Sequence, residues 1–285
     1  MNGVQRYLCA ACGRQFVGGN RVRDADLWYD YTVGKQTYFQ LSERYGISIR
    51  TVQRRLDRVL PILPEPKPRE VVVLMDTTYF GRGFGVMLFK DAYSRENLFK
   101  QYVKYETNKL YVIGIEVLRT KGFTIRAIVC DGRRGLMQSF GKTPVQMCQF
   151  HQSAIIRRYL TKRPKLQAAQ ELMKVLELMT MTDKESFTGA LQDWHSKWET
   201  FLNQRSTTTL TRKTFYTHKR LRSAYRSISC NLPWLFTWYD YHELTVPNTT
   251  NAIDGHFADL KNKLRNHNGL SLPRKMRFID EFLKV

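Results

Sequence analysis

Two aspartates stand where a carboxylate needs a reason. Asp76 interrupts the apolar run Val71-Val-Val-Leu-Met-Asp-Thr-Thr-Tyr-Phe80, and Asp131 closes Thr124-Ile-Arg-Ala-Ile-Val-Cys-Asp-Gly132 just before a glycine turn. Short apolar runs rich in β-branched residues read as buried strands. A carboxylate in such a strand is costly unless it is paired or bound to metal. Two carboxylates close together repel, and a divalent cation resolves that conflict. Adjacent parallel strands could bring both to one edge of a sheet. A third acid, on a helix laid over that edge, would complete a site for Mg²⁺ or Mn²⁺, which prefer oxygen ligands. One such aspartate is more often a turn or salt-bridge residue. Two, each in an apolar strand of suitable order, ask for more.

Other residues carry metal or nucleic-acid chemistry. Tyr7-Leu-Cys-Ala-Ala-Cys-Gly-Arg-Gln-Phe16 reads as a zinc knuckle, with Cys9 and Cys12 aimed at one point. Zinc wants four ligands and two are here. The reading is half of a zinc ribbon, with the other half upstream of Met1; two unliganded surface cysteines are the equal alternative. Further on, Thr37 to Gly46 and Ile49 to Leu60 read as two short helices around a glycine turn, the second capped by Ser48. That is the spacing of a helix-turn-helix. Arg50, Thr51, Gln53 and Arg54 would lie on the exposed start of its recognition helix, where Arg and Gln can read base edges. An ordinary helical hairpin with a solvated basic face is the plainer alternative.

The elements that must position the acids follow a four-proline linker at 61–69, which cannot continue a helix. Three strands (71–80, 84–89 and 98–105) precede a helix at 109–121 ended by Gly122. A strand at 124–132 and a short one at 145–150 follow. This order describes a mixed α/β sheet with helices packed on it. Residues 152–246 are mostly helical. Trp194 and Trp198 are four apart, as are Trp234 and Trp238, a spacing that reads as core packing. The basic stretch 205–226 either touches phosphates or faces solvent.

Composition narrows the partner. Lys and Arg number 46 against 25 acids, a net charge of +21. Such an excess suits a polyanion, whose neutralisation releases counterions. At 42% hydrophobic the chain is not a disordered basic tail. Five cysteines, an odd number, and no apolar leader suggest a reduced, cytoplasmic, nucleoid-associated protein. No run of 18 apolar residues predicts a membrane span.

Taken together, Asp76, Asp131-Gly132, Cys148-Gln-Phe-His151 and Asn251-Ala-Ile-Asp254 resemble the DDE transposases of the Mutator-like group and their bacterial insertion-sequence relatives. The resemblance spans nearly the whole chain. It implies a ribonuclease-H-like core with a helical insertion between the second and third acids. By resemblance Asp76 and Asp131 are the first two metal ligands, and Asp254 stands where the family usually has glutamate. Aspartate is one methylene shorter, so its helix would have to approach more closely, which Gly255 would help. Glu243 is a rival without the Asn-Ala-Ile context. His151 has three open roles: contact with the scissile phosphate or a leaving oxygen, packing with Cys148, or a Cys₃His zinc site with Cys9 and Cys12.

The expected organisation is a partial zinc ribbon at 1–20, a helix-turn-helix at 21–62 and a linker at 63–69. The catalytic core runs over 70–151, is broken by an all-helical insertion at 152–246, and finishes at 247–285 with the third acid. The implied activity is metal-dependent cleavage and strand transfer of double-stranded DNA, at terminal inverted repeats and a target, by a dimer or higher oligomer. Arg133, Arg134, Lys261, Lys263 and Arg265 flank the acids as candidate phosphate contacts. The alternatives are a catalytically inactive, transposase-derived DNA-binding protein or regulator, and a structure-specific nuclease.

Overall fold

The structure, a computed structural model, describes residues 6–17, 22–208 and 212–284. Residues 1–5 and 18–20 of the expected zinc-ribbon segment lie outside them. A hairpin of β1 (Arg6–Leu8) and β2 (Gln15–Val17) comes first, followed by α1 (Asp24–Thr32), α2 (Tyr38–Tyr45) and α3 (Ile49–Leu56). Strands β3 (Glu70–Tyr79), β4 (Gly85–Asp91) and β5 (Asn97–Val103) lead to α4 (Asn108–Thr120), β6 (Thr124–Cys130), a 3₁₀ turn and β7 (Val145–Met147). Then come α5 (Gln149–Leu160), α6 (Gln167–Leu178), α7 (Lys184–Leu202), a second hairpin of β8 (Arg205–Thr207) and β9 (Thr214–Tyr216), α8 (Lys219–Leu235) and α9 (Thr237–Asp240). Helices α10 (Asn251–Arg265) and α11 (Leu272–Leu283) complete the order.

The chain divides into two compact units, one ending at Leu63 and taking in Leu260–Lys284, the other spanning Pro64–Asp259. In the first, α2 starts with a capping box between Thr37 and Gln40 and ends at Gly46, whose φ of 63° makes the turn. Ser48 caps α3 by accepting from the Thr51 amide. Leu27, Leu41, Val52, Leu56, Phe278 and Ile279 form its interior. Helix α3 stops at Leu56, short of the expected Leu60. Asp57 instead takes a two-pronged bond from Arg274, at 2.8 and 2.6 Å, and Leu60 is exposed.

The second unit is mixed α/β. Its five-stranded sheet has the order β5-β4-β3-β6-β7, with β3, β4 and β5 antiparallel and β6 and β7 parallel to β3. Strands β3 and β4 are apolar on both faces, as expected of a sheet covered on both sides. Val71, Val73, Met75, Met87, Phe89, Ile128 and Cys130 join α4 and the helices from α5 to α8 in one core. On the opposite face Val72, Leu74, Val86, Leu88, Ala127 and Val129 are also buried. There the Lys90 ammonium lies 3.4 Å from Nδ1 of His256 on α10 and donates to Asn97 Oδ1 at 3.0 Å.

Two expectations change. The 152–246 stretch is not all helical, because β8 and β9 form a hairpin inside it. Its threonines and aromatics suit a pleated ribbon better than a helix. The segment expected as the last part of the core contributes only up to Asp259 to the sheet's unit. The tryptophans pack: Trp194 is buried and donates to the Ala168 carbonyl at 2.9 Å. Among the described residues no helix is long and apolar enough to cross a membrane.

Candidate active site

The parallel pairing of β3 with β6 sets the first two acids side by side. Leu74 pairs with Val129. Continuing that register two places past the pair brings Asp131, just beyond β6, level with Asp76 and on its face of the sheet. Gly132 follows because a Cβ there would sit 2.0 Å from Met147 Cε. Both aspartates are half-buried. Burial pushes the Asp76 carboxyl up to about 7, and the charges of Asp254 and Asp131 add to the rise. Asp131 is also raised by burial and by Asp254, against the pull of His151 and the Arg133 amide.

The third acid reaches this edge through a short laced segment. The Gln149 amide donates to the Asn248 carbonyl at 2.9 Å. The Thr250 amide donates to Sγ of Cys148 at 3.3 Å. The Thr250 hydroxyl, wholly buried, lies 3.3 Å from Cys148 Sγ, 3.1 Å from Asp254 Oδ2 and 3.4 Å from His151 Nδ1. Its single proton serves one acceptor at a time, while its lone pairs can accept from His151. Asp254 stands in the first turn of α10, where the helix dipole favours a negative charge.

His151, in the first turn of α5, faces the Cys148 thiol and the acids. The bond to Cys148, together with the charges of Asp76 and Asp254, raises its pKa to about 9 despite burial. Burial opposes ionisation of Cys148, but the bonds with His151 and Thr250 outweigh it and lower its pKa. At neutral pH the imidazole is therefore a cation held among carboxylates.

Behind the acids lies a hydrogen-bonded network of Thr77, Tyr111, Glu106 and Arg133. The Thr77 and Tyr111 hydroxyls are 2.8 Å apart, and Tyr111 donates to Glu106 Oε1 at 2.9 Å. Burial, with Asp131 nearby, raises the Glu106 carboxyl. Arg133, expected as a phosphate contact, is tied instead to Asn108 Oδ1 at 2.7 Å and to the Glu106 carbonyl at 2.9 Å. It braces the loop after Asp131. Nothing in the spacing of Glu106, Tyr111 and Arg133 announces this network; for Thr250 the cap-forming run Asn248-Thr-Thr-Asn251 was a signal. No neighbouring element packs close to Gly255, since a Cβ there meets nothing within 4 Å.

The remaining candidates lie elsewhere. Arg50 and Arg54 are exposed on α3, Gln53 is half-buried, and the Thr51 hydroxyl is 3.0 Å from that of Ser48. On the far end of α10, the Lys263 ammonium lies over the Phe282 ring at 4.7 Å, Arg265 donates to Asn262 at 3.3 Å, and Lys261 is half-buried. Glu243 sits in a 3₁₀ turn, more than half exposed, beside His242. Cys9 and Cys12 face each other across the β1–β2 turn, and backbone amides and Cys12 lower the Cys9 pKa.

Among the described residues no three His, Cys, Asp or Glu side chains are gathered into a finished ligand cage. Asp76, Asp131 and Asp254 form an electrostatically coupled group rather than a closed one. As a donor set they have the chemistry a hard divalent cation takes: all oxygen, with the Asp76 and Asp131 carboxyls raised by burial and by neighbouring carboxylate charge.

No family model matches the chain. No curated protein matches it either. Among solved structures it is similar to the cryo-EM structure of the simian T-cell lymphotropic virus intasome in complex with PP2A regulatory subunit B56 gamma. The identity is 12%, over 70% of this chain and 74% of that one, with a TM-score of 0.23. So slight a likeness bears no weight on the chemistry.

Proposed function

We propose that this chain is a DDE-type DNA transposase with a ribonuclease-H-like core, cleaving DNA ends and joining them to a target. One observation carries the reading. Three aspartates, 55 and 123 residues apart along the chain, act on one another electrostatically at the ends of two parallel strands, with a cationic histidine among them. The joint motif resemblance supports it, as does the net charge of +21.

Asp76, Asp131 and Asp254 would hold Mg²⁺ or Mn²⁺. Bound there, the divalent cation supplies activation of the attacking hydroxyl and stabilisation of the leaving 3′-oxygen in line across phosphorus. The protein's own groups do the rest. His151 presents a charged N–H donor to a non-bridging phosphate oxygen. Thr250 fixes the Asp254 carboxylate and the imidazole together. Arg133 and the Tyr111–Glu106 pair hold the loop that carries Asp131. With water as nucleophile the strand is cut; with a freed 3′-hydroxyl as nucleophile one phosphodiester replaces another, so no energy source is needed. Arg50, Gln53 and Arg54 are the proposed readers of the terminal repeats, and Cys9 and Cys12 a proposed half-site for zinc. Cutting two ends together asks for at least two subunits on DNA.

The test is nicking of a labelled duplex bearing the inverted repeats beside the gene, with and without Mg²⁺ or Mn²⁺. Wild type should cut and join, and Asp76→Asn, Asp131→Asn and Asp254→Asn should not. Equal inertness of all four proteins, with DNA binding intact, would leave a DNA-binding regulator. Cutting without joining or preference for repeats would leave a structure-specific nuclease.

A further inference from the structure

Three concavities whose linings include none of the three acids open on the helical part of the second unit. One, of about 690 Å³, is lined by His195, Phe215, Tyr216, Lys219, Arg222 and Arg226. A second shares Lys219 and Ser223 with it and adds Arg158 and Arg220. A third continues past Lys219 and Arg220 to Arg163 and Lys165. No Asp or Glu lines any of the three. Elsewhere on these helices cations are neutralised, as in Lys184–Asp240 at 2.7 Å and Lys197–Glu171 at 2.9 Å.

We propose that this groove, built by α5, α8 and the β8–β9 hairpin, binds the phosphate backbone of DNA. The proposal rests on the reading of the chain as a transposase. Like charges crowded on one concave face repel, and a polyanion removes that cost. The wall is firm rather than fluid. Arg222 donates to the Leu202 carbonyl and to Asn203 at 2.9 and 2.8 Å, with its guanidinium 3.7 Å over Tyr216, and Arg220 donates to the Arg158 carbonyl at 2.9 Å. The Arg158, Lys219 and Arg226 side chains remain exposed, the Lys219 ammonium lying 4.2 Å over the Phe215 ring. Lys219, Ser223 and Arg226 recur at helical spacing along one face of α8. Seven residues of helix cover about 10 Å, the rise of about three nucleotides on one strand. Ammonium, hydroxyl and guanidinium donors in a row suit successive phosphates better than the scattered carboxylates of a peptide.

The full chain is titrated against a short fluorescent duplex, and log affinity is followed against log salt. Arg158→Gln/Lys219→Gln/Arg226→Gln should flatten the slope by about 2 to 3, at about 0.9 per phosphate contact. Arg158→Lys/Lys219→Arg/Arg226→Lys should keep it. Each single Gln variant should lose about 0.9, which covers a triple variant that fails to fold. An unchanged slope overturns the groove as a DNA surface. So does preferential binding of an RNA of equal length that the same variants abolish. The catalytic reading is judged separately: cleavage by wild type with an unchanged slope in the Gln variants rejects only the groove. A flattened slope without metal-dependent cleavage rejects only the transposase.

Discussion

Thr250 bonds to Cys148 twice, through its amide and its hydroxyl, each at 3.3 Å, although 102 residues separate them. The same hydroxyl is 3.1 Å from Asp254. One small side chain thus sets the third acid against the Cys-x-x-His turn.

Thr250→Val keeps the volume and removes the hydroxyl, so it should lower kcat for end cleavage about 10- to 100-fold with little change in KM for DNA. Thr250→Ser should restore most of the rate. Single-turnover cleavage at saturating DNA decides it; equal rates for the Thr, Val and Ser proteins would show that the hydroxyl positions nothing that matters.

The acid–histidine cluster predicts a bell-shaped rate profile. Asp76, raised to about 7, must lose its proton, and His151, raised to about 9, must keep its own. Cleavage at limiting Mg²⁺ should therefore rise through about 7 and fall beyond about 9, and saturating Mg²⁺ should move the acidic limb lower by competing with the proton. His151→Gln should abolish the alkaline limb. A profile whose alkaline limb survives that change assigns it to another group.

Asp76 also has a stability signature. Its folded pKa of about 7 lies above its unfolded value, so the native state holds the extra proton between the two. Stability from this group is present at low pH and is lost as pH rises toward about 7. Asp76→Asn should consequently stabilise the protein at pH 8 by on the order of 2 kcal/mol while having little effect near pH 4. Urea melts at the two pH values measure it. A destabilised Asn variant at pH 8 in the absence of divalent cations would contradict the buried-repulsion account.

The bond from Arg274 depresses the Asp57 carboxyl, with Arg277 assisting. Stability from this group is present above the unfolded pKa and fades as pH falls through the lower folded value. The side chain is 38% exposed, so the contribution is discounted for solvent screening to about 0.5–1 kcal/mol. Asp57→Asn should show that loss at pH 7 and none well below the folded pKa, by thermal melting with a probe on the α1–α3 unit.

Gly114 on α4 faces the wholly buried Phe89, whose Cζ would lie 2.0 Å from an added Cβ. Helix propensity favours alanine, yet Gly114→Ala should destabilise the sheet unit by about 1–3 kcal/mol through overpacking. A raised urea midpoint would mean the helix can slide.

Much of this was legible in the residues. The apolar runs gave strands near 71–80, 84–89, 98–105, 124–132 and 145–150, each displaced by a few residues where a turn takes the chain away. Thr37, Gly46 and Ser48 marked helix ends because caps are local chemistry. What escaped was non-local. Nothing near Asp57 in sequence says that Arg274 will claim it, so α3 read as longer than it is. The β8–β9 hairpin hid in a polar, threonine-rich stretch without alternation. Glu106, Tyr111 and Arg133 form their network only once α4 is laid against β3 and β6. Thr250 looked like a cap and does the work of a clasp.

The parallel ladder that levels Asp76 with Asp131 is broken at one place between β3 and β6. Val71 pairs with Ile125 but Val72 pairs with Ala127, so Arg126 is a supernumerary residue in the ladder. Were Arg126 paired in an even ladder running from Val71 and Ile125, Cys130 rather than Asp131 would fall opposite Asp76. Excising Arg126, a surface position, should remove the irregularity and leave Ala127 opposite Val72, with Asp131 still level with Asp76. The levelling of the two aspartates depends on one residue stepping out of the ladder, its guanidinium 3.6 Å from the Glu70 carboxylate.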